Sequence, residues 1–323
     1  MSFIVFLVGP TSFIIGLFLI YISYNIFPLW FFIILWMCYI FDIFFIQPQN
    51  SITRTSKKFK NWAGWNLVNN WFNFKIFTED DMNIDQNKTY IFAIHPHGIF
   101  SWGCAIPLID NLPFRNFNKK FSKINYCFVA ASIVFKIPLI REICLMLGMI
   151  DASKNNIMSA LKNNYSVGIN IDGQAGVLSC KKGIDSVVLD NRKGFIKIAL
   201  STGSPIIPVY QFGLVDIYDT GPEFIKPFQR FFHKKLKWAL PIFYSKDYGL
   251  LPYRNKPINI VVGNPINLPF IKKEDWGKEP AKETVEFYHK IYKNEIIKLY
   301  NKWKYNFGCG NRTLQIIDAY NPY

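Results

Sequence analysis

Tyr90-Ile91-Phe92-Ala93-Ile94-His95-Pro96-His97-Gly98 is a short apolar run that stops abruptly in two histidines, a proline and a glycine. The chain holds four histidines, and two of them fall here. Comparable strand-like runs recur at Tyr126–Ala130, Val167–Ile171, Ile206–Tyr210 and Ile258–Val262. Helix-like segments, Ile137–Leu147, Asn155–Asn163 and Arg192–Ser201, lie between some of them. This alternation predicts an α/β fold with a mostly parallel sheet and flanking helices. Lys282–Lys304 reads as a closing helix, because Val285, Tyr288, Ile291, Tyr292, Leu299 and Trp303 recur near helical spacing. Gly221–Pro227 and Pro252–Pro257 are proline-rich and read as loops.

Ligands of open α/β sheets gather at the carboxyl ends of strands, which is where the two histidines stand. Pro96 fixes its own φ, and Gly98 lets the backbone approach a ligand closely. A histidine so placed can act as a general base near neutral pH. Two other readings compete: a structural pair capping the strand, and an H-x-H metal site. A metal needs a third ligand, which the scattered carboxylates do not supply in sequence, so no metal is expected.

Upstream, the composition changes. From Phe3 to Ile46 there is no lysine or arginine, and Asp42 is the one charge. The stretch divides near Asn25–Pro28 into Phe3–Tyr24 and Ile26–Ile46, each about the 20 residues that a bilayer-spanning helix needs. A cleaved signal peptide is disfavoured, because there is no basic leader and the apolar run is too long. The reading preferred is a transmembrane helical hairpin, residues 1–48. Arg54, Lys57, Lys58 and Lys60 come just after it, and positive flanks stay on the cytosolic side. Residues 49–89 read as an interfacial linker. Within it, Asn61–Phe74 is tryptophan-rich and fits either a membrane-surface helix or packing against the domain. Residues 90–323 form the remaining domain.

The formal net charge is +15, nearly all of it after residue 50. A basic balance favours anionic partners, though Lys, Asn, Ile and Phe are abundant together, which also fits a drift in composition. No block of five Lys/Arg occurs, so no nucleic-acid partner is expected. The six cysteines lie far apart without a CxxC pair and mostly in apolar runs, as buried free thiols do. Cys104, close to the histidines, reads as a packing residue. Phe231-Phe232-His233-Lys234-Lys235 is an aromatic–basic run suited to a membrane interface, and His289 lies on the closing helix.

The motif and the chain beyond it resemble the type 2 diacylglycerol acyltransferase family, which includes monoacylglycerol and wax-alcohol acyltransferases. Tyr90–Gly98 looks like its HPHG block. Ile137-Pro138-Leu139-Ile140-Arg141-Glu142 with Gly148 resembles the segment after its second strand. Asn191-Arg192-Lys193-Gly194-Phe195 and Pro208-Val209-Tyr210-Gln211-Phe212-Gly213 resemble its RNRKGF…PVYSFG block. Leu251-Pro252-Tyr253-Arg254 and Val261-Val262-Gly263-Asn264-Pro265-Ile266 resemble its later elements, in the same order. The resemblance implies transfer of an acyl group from acyl-CoA, as co-substrate, to a lipid alcohol such as diacylglycerol, with no bound cofactor. His97 or His95 would take the hydroxyl proton, and backbone N–H groups near Gly98 would meet the oxyanion. Gly98 and Asp172 are expected to contact substrate, and Arg192 and Lys193 either bind the phosphates of coenzyme A or are surface charges or interfacial anchors, with Gly194 allowing close packing or ligand approach. The implied setting is the endoplasmic reticulum or an equivalent membrane, with the domain facing the cytosol, membrane lipids as partners and a homo-oligomer allowed.

Two departures stand out. Related glycerolipid acyltransferases carry an aspartate five positions after the histidine, where this chain has Phe100 and Trp102. The family also shows a GGAxE-like block, where this chain reads Asp172-Gly173-Gln174-Ala175-Gly176, with Gly176 at the glutamate position. The orienting acid is therefore open between Asp172 and Glu142. Other acceptors (monoacylglycerol, a long-chain alcohol, a lysophospholipid) and a catalytically weak lipid-binding homologue are the alternatives.

Overall fold

The computed structural model describes residues 12–109, 120–236, 239–269 and 271–318. Two apolar helices come first, α1 (Ser12–Ile26) and α2 (Leu29–Phe41), and a π turn, Asp42–Ile46, extends the second. Pro28 parts them: it lacks the N–H that a continuing helix would use, and α2 starts immediately after it. The first segment expected from the sequence begins at Phe3, and its part before Ser12 lies outside the described residues. Leu29–Asn50 is long and apolar enough to cross a membrane, while Ile14–Ile26 is shorter. Their large side chains are open to the surroundings, with Leu29 at 62% and Trp30 at 64% exposure. Trp36 Nε1 donates to Ser23 Oγ at 3.1 Å and ties the two helices together.

The rest of the chain runs α3 (Gly64–Phe72), β1 (Lys75–Thr78), β2 (Ile91–His95), β3 (Asn125–Ala130), α4 (Ile140–Leu147), β4 (Ile150–Asp151), α5 (Lys154–Lys162), β5 (Tyr165–Asn170) and α6 (Gly173–Ser179). It continues with β6 (Ser186–Val188), α7 (Gly194–Thr202), β7 (Ile206–Phe212), β8 (Asp219–Thr220), α8 (Lys226–Leu236), β9 (Phe243–Tyr244), β10 (Asn259–Val262), α9 (Lys282–Trp303) and β11 (Gln315–Ile317). Among the described residues, seven strands form the main sheet in the order β1-β10-β7-β2-β5-β3-β4. Neighbours from β7 to β4 run parallel, whereas β10 is antiparallel to β7. All five strand-like runs of the sequence lie in this sheet.

Side chains of β2 alternate between two cores. Phe92 and Ile94 face a cluster built with α3 and the segment 99–109, and Ile91 and Ala93 face one built with α5, α7 and α9. Both faces are covered, so β2 and β7 read as continuous apolar runs rather than alternating ones. The tryptophan-rich stretch is settled as packing: Trp65, Val68, Trp71 and Phe72 are buried in the first core. Gly221–Pro227 is not wholly loop. A short 3-10 turn, Glu223–Ile225, leads into α8 at Lys226, because Pro227 sits in the first helical turn, where its missing N–H costs nothing.

The apolar helix α2 is tied to this domain by charge. Asp42 accepts from Arg54 Nη1 at 2.8 Å and also from Arg141, which is 1% exposed. Arg141 Nη1 in turn donates to Glu142 Oε1 at 2.8 Å, and the Tyr39 hydroxyl donates to the same oxygen at 2.9 Å. Glu142 Oε2 accepts the Leu139 N–H at the start of α4. Glu142 is thereby committed to the α2–α4 junction and makes no bond to either motif histidine.

Candidate active site

Strand β2 ends at His95, in register with Tyr210 of β7, and its other neighbour β5 leads directly into Asp172 at the head of α6. Asp172 is 1% exposed and accepts three bonds. His95 Nδ1 lies 3.0 Å from Oδ1, the Val188 N–H donates to the same oxygen at 2.7 Å, and the His97 N–H donates to Oδ2 at 2.7 Å. One buried carboxylate thus holds both histidines, one by its ring and one by its backbone. Arg192 Nη2 reaches the Asp172 carbonyl at 3.4 Å. The acid partner that the sequence leaves open is Asp172.

The two rings differ. His95 is fully enclosed. A carboxylate can only accept, so Nδ1 carries the proton of this bond. The His95 Nε2 is buried and has no partner among the described residues. Behind the ring stands Tyr292 of α9, 5.9 Å away between centroids, its hydroxyl donating to the Ala93 carbonyl at 3.1 Å. His97 is half-buried. Its Nδ1 lies 3.1 Å from the Gly98 carbonyl, which makes Nδ1 the donor and leaves the Nε2 lone pair for another proton. Burial pushes the His97 imidazole below the ordinary histidine value of 6.5, more than the Gly98 carbonyl and the Asp172 charge raise it.

Glycines make the arrangement fit. Gly98 has φ +64°, and a Cβ there would come within 2.9 Å of Leu214 Cγ. Gly176 lies one helical turn after Asp172. A Cβ at that position would stand 2.4 Å from the Asp172 Cβ and 3.0 Å from the His97 Cβ. The space that a side chain at 176 would need is filled by Asp172 and His97.

Arg192, Lys193 and Gly194 form the entry to α7. Lys193 is ion-paired with Glu286 of α9, and space is open around the Gly194 Cα. Arg192 Nε is buried without a partner among the described residues. Gln211, which no sequence signal marks as functional, donates from Nε2 to the Pro96 carbonyl at 3.0 Å and fixes the turn between the histidines. Tyr292 stands out in sequence only as a periodic core position. The remaining candidates lie elsewhere: His289 Nε2 bonds the Leu189 carbonyl at 3.0 Å in the α9 core. Cys104 is a buried thiol pushed up to about 11 by desolvation, with Ser101 Oγ at 2.8 Å. Such a buried thiol fits the packing reading of Cys104. Next to His95, on the opposite face of the sheet, a narrow apolar cleft is lined by Ile76, Phe92, Ile94, Phe128, Val209 and Val262.

Two histidines and a buried carboxylate at the end of a strand suit proton transfer, and likeness to known proteins says in which family. A family model described as diacylglycerol acyltransferase matches residues 20–317. The chain belongs to the diacylglycerol acyltransferase family. Among similar proteins, diacylglycerol O-acyltransferase 2 of Dictyostelium discoideum is 32% identical over 84% of this chain and 81% of its own length. Acyl-CoA wax alcohol acyltransferase 1 of Mus musculus is 30% identical over 80% of this chain and 79% of its own. Diacylglycerol O-acyltransferase 1 of Eremothecium gossypii is 34% identical over 71% of this chain, a match that covers 50% of that protein. A solved structure, the 1-acyl-sn-glycerophosphate acyltransferase PlsC from Thermotoga maritima, superposes with a TM-score of 0.42. It is 15% identical over 75% of this chain and 79% of that one. This acyltransferase therefore carries the motif of Tyr90–Gly98 within a family-wide match rather than as an isolated likeness.

Proposed function

We propose that the acyltransferase esterifies diacylglycerol with the acyl group of acyl-CoA, with His97 as general base. The observation that carries the assignment is the His97 ring itself: Nδ1 is committed to the Gly98 carbonyl, and Nε2 is the basic atom of a half-buried imidazole. The acceptor hydroxyl attacks the thioester carbonyl as its proton passes to Nε2. The tetrahedral oxyanion meets the Gly98 N–H, since the His97 N–H is taken by Asp172. Collapse breaks the C–S bond, and the imidazolium returns the proton to the departing coenzyme A thiolate. Ester and coenzyme A are released, and no covalent enzyme intermediate forms.

Asp172 holds the His97 backbone and the His95 ring, and its charge favours the imidazolium that forms transiently. His95 is enclosed and acts as a strut between Asp172 and Tyr292. The α7 entry, with Arg192 and the open space at Gly194, is proposed to take coenzyme A phosphates. The lysines and arginine after α2 support a domain on the cytosolic side of the endoplasmic reticulum or an equivalent membrane.

The test is acyl transfer by the purified chain in nanodiscs, with labelled acyl-CoA and, separately, diacylglycerol, monoacylglycerol and a long-chain alcohol. Diacylglycerol is expected to give the fastest ester formation, and His97→Ala at unchanged protein level is expected to abolish it. Ester formation by His97→Ala would remove His97 from the mechanism. A faster reaction with another acceptor would reassign the substrate.

A further inference from the structure

Helix α8 is amphipathic in the inverse sense. Its face toward the domain carries Lys226, 6% exposed and ion-paired with Glu223, together with Gln229, whose Nε2 donates to the Leu240 carbonyl at 2.7 Å. Its outward face carries Phe228 and Phe231, each 57% exposed, continued by Phe224 of the preceding turn at 81%. Residues 224, 228 and 231 recur at four and three positions, one side of a helix. The segment after the helix adds Leu240 and Ile242, 41% and 43% exposed. Water does not favour this arrangement: a helix at a protein–water boundary turns its apolar stripe inward. Lys234 and Lys235 are exposed at the end of the same helix and have no ion pair among the described residues.

We propose that α8 and the segment 239–244 form a second membrane contact, with the phenylalanines in the acyl–headgroup boundary and Lys234 and Lys235 on anionic phospholipid headgroups. Aromatic anchors beside unpaired cations are the chemistry of an interfacial helix on an anionic leaflet. The chain already carries a helix long and apolar enough to cross a membrane, so a bilayer is the surface within reach. The contact also bears on the histidines. α8 packs against α6, and the Ala239 N–H donates to Gln174 Oε1 at 2.7 Å. Gln174 belongs to the turn of α6 between Asp172 and Gly176. Seating α8 on the leaflet therefore holds the acid-bearing helix next to the bilayer that delivers the acceptor.

Amide hydrogen exchange on the full chain in nanodiscs tests this. Discs of phosphatidylcholine are compared with discs containing about one-third phosphatidylserine. Residues 224–244 are expected to exchange more slowly on the anionic discs. Reversing both lysines, Lys234→Glu with Lys235→Glu, is expected to erase that difference, the loss of each positive charge alone weakening the attachment about five-fold and the added glutamate weakening it further. Phe228→Ser with Phe231→Ser is expected to raise exchange on both kinds of disc while Tm stays unchanged, because neither ring is buried in the core. Exchange that ignores both lipid charge and the phenylalanine changes would overturn the proposal. Protection that appears only with two copies of the chain per disc would overturn it too, and would make the face a contact between copies. Either result would leave the acyl-transfer reading standing, since that is read from ester formation.

Discussion

Replacing Asp172 by asparagine removes one charge and keeps the shape. The wild-type carboxylate accepts from His95 Nδ1, the Val188 N–H and the His97 N–H, in a site 1% exposed. An asparagine offers one acceptor oxygen and one donor amide. With the amide toward His97, the His97 N–H faces another donor. With the amide toward His95, the Val188 N–H does so, and His95 must take its other tautomer. Either orientation leaves one buried backbone donor unpaired, at about 1–3 kcal/mol. That fraction of the roughly 5–15 kcal/mol of a folded domain leaves the protein folded. Catalysis suffers more. The base is no longer held where the alcohol is presented, and a displacement of about 1 Å costs about 100-fold. The expected result is a folded Asp172→Asn enzyme with Tm lowered by a few degrees and kcat down about 100-fold or more. The assay is coenzyme A release from acyl-CoA and diacylglycerol in nanodiscs, with Tm measured on the same preparation. Asp172→Asn with kcat within about two-fold of wild type would refute the positioning role. A collapse of Tm with no folded protein would show that the carboxylate is needed for folding first, at a cost well beyond one unpaired donor.

Three further outcomes are expected. The acid limb of the kcat/KM profile should lie below 6.5, because burial lowers the His97 pKa and the unprotonated base persists to lower pH; a limb above 6.5 would contradict it. Gly176→Glu alone should be inactive, since even its Cβ meets Asp172 at 2.4 Å, whereas Asp172→Gly with Gly176→Glu should recover part of the activity; a double variant no better than the product of the two singles would show no coupling. Arg141→Ala should destabilise the chain by about 1–3 kcal/mol, because Glu142 and Asp42 each lose a charged partner but are part-exposed and keep Tyr39 and Arg54; an unchanged Tm in detergent would dismiss the junction as a structural tie.

Burial decides which elements are legible in the sequence. β2, β3, β5, β7 and β10 announce themselves because each is a run of apolar residues covered on both faces. β1 does not, since Lys75–Thr78 is a four-residue edge strand whose partner, β10, is 184 positions away at the paired residues Lys75 and Asn259. β4 is two residues long and, among the described residues, pairs with β3 at the edge of the sheet. α8 is hidden behind Pro222 and Pro227, which punctuate like a loop. The histidines are legible because rare residues end an apolar run. Their acid is not, because Asp172 and Glu142 are equivalent as letters. Strand order separates them: Asp172 follows the strand beside β2, whereas Glu142 follows β3, one strand further out and turned to α2.

That separation also gives the Gly176 departure a physical meaning. Positions 172 and 176 are one turn apart on the same side of α6, and a Cβ at 176 would stand 2.4 Å from the Asp172 Cβ. A longer acid at 176 and a shorter one at 172 compete for one volume, the space against the His97 Cβ. This chain fills it from 172, and the side-chain-free position at 176 is then required, since any Cβ there would displace the carboxylate that holds the histidines. A glutamate missing from the expected position is therefore not a lost function under the proposed mechanism. The charge is still present, buried, and 3.0 Å from a histidine nitrogen. Under the proposed mechanism Gly176 leaves the strand end, the turn held by Gln211 and the Nε2 of His97 as they stand.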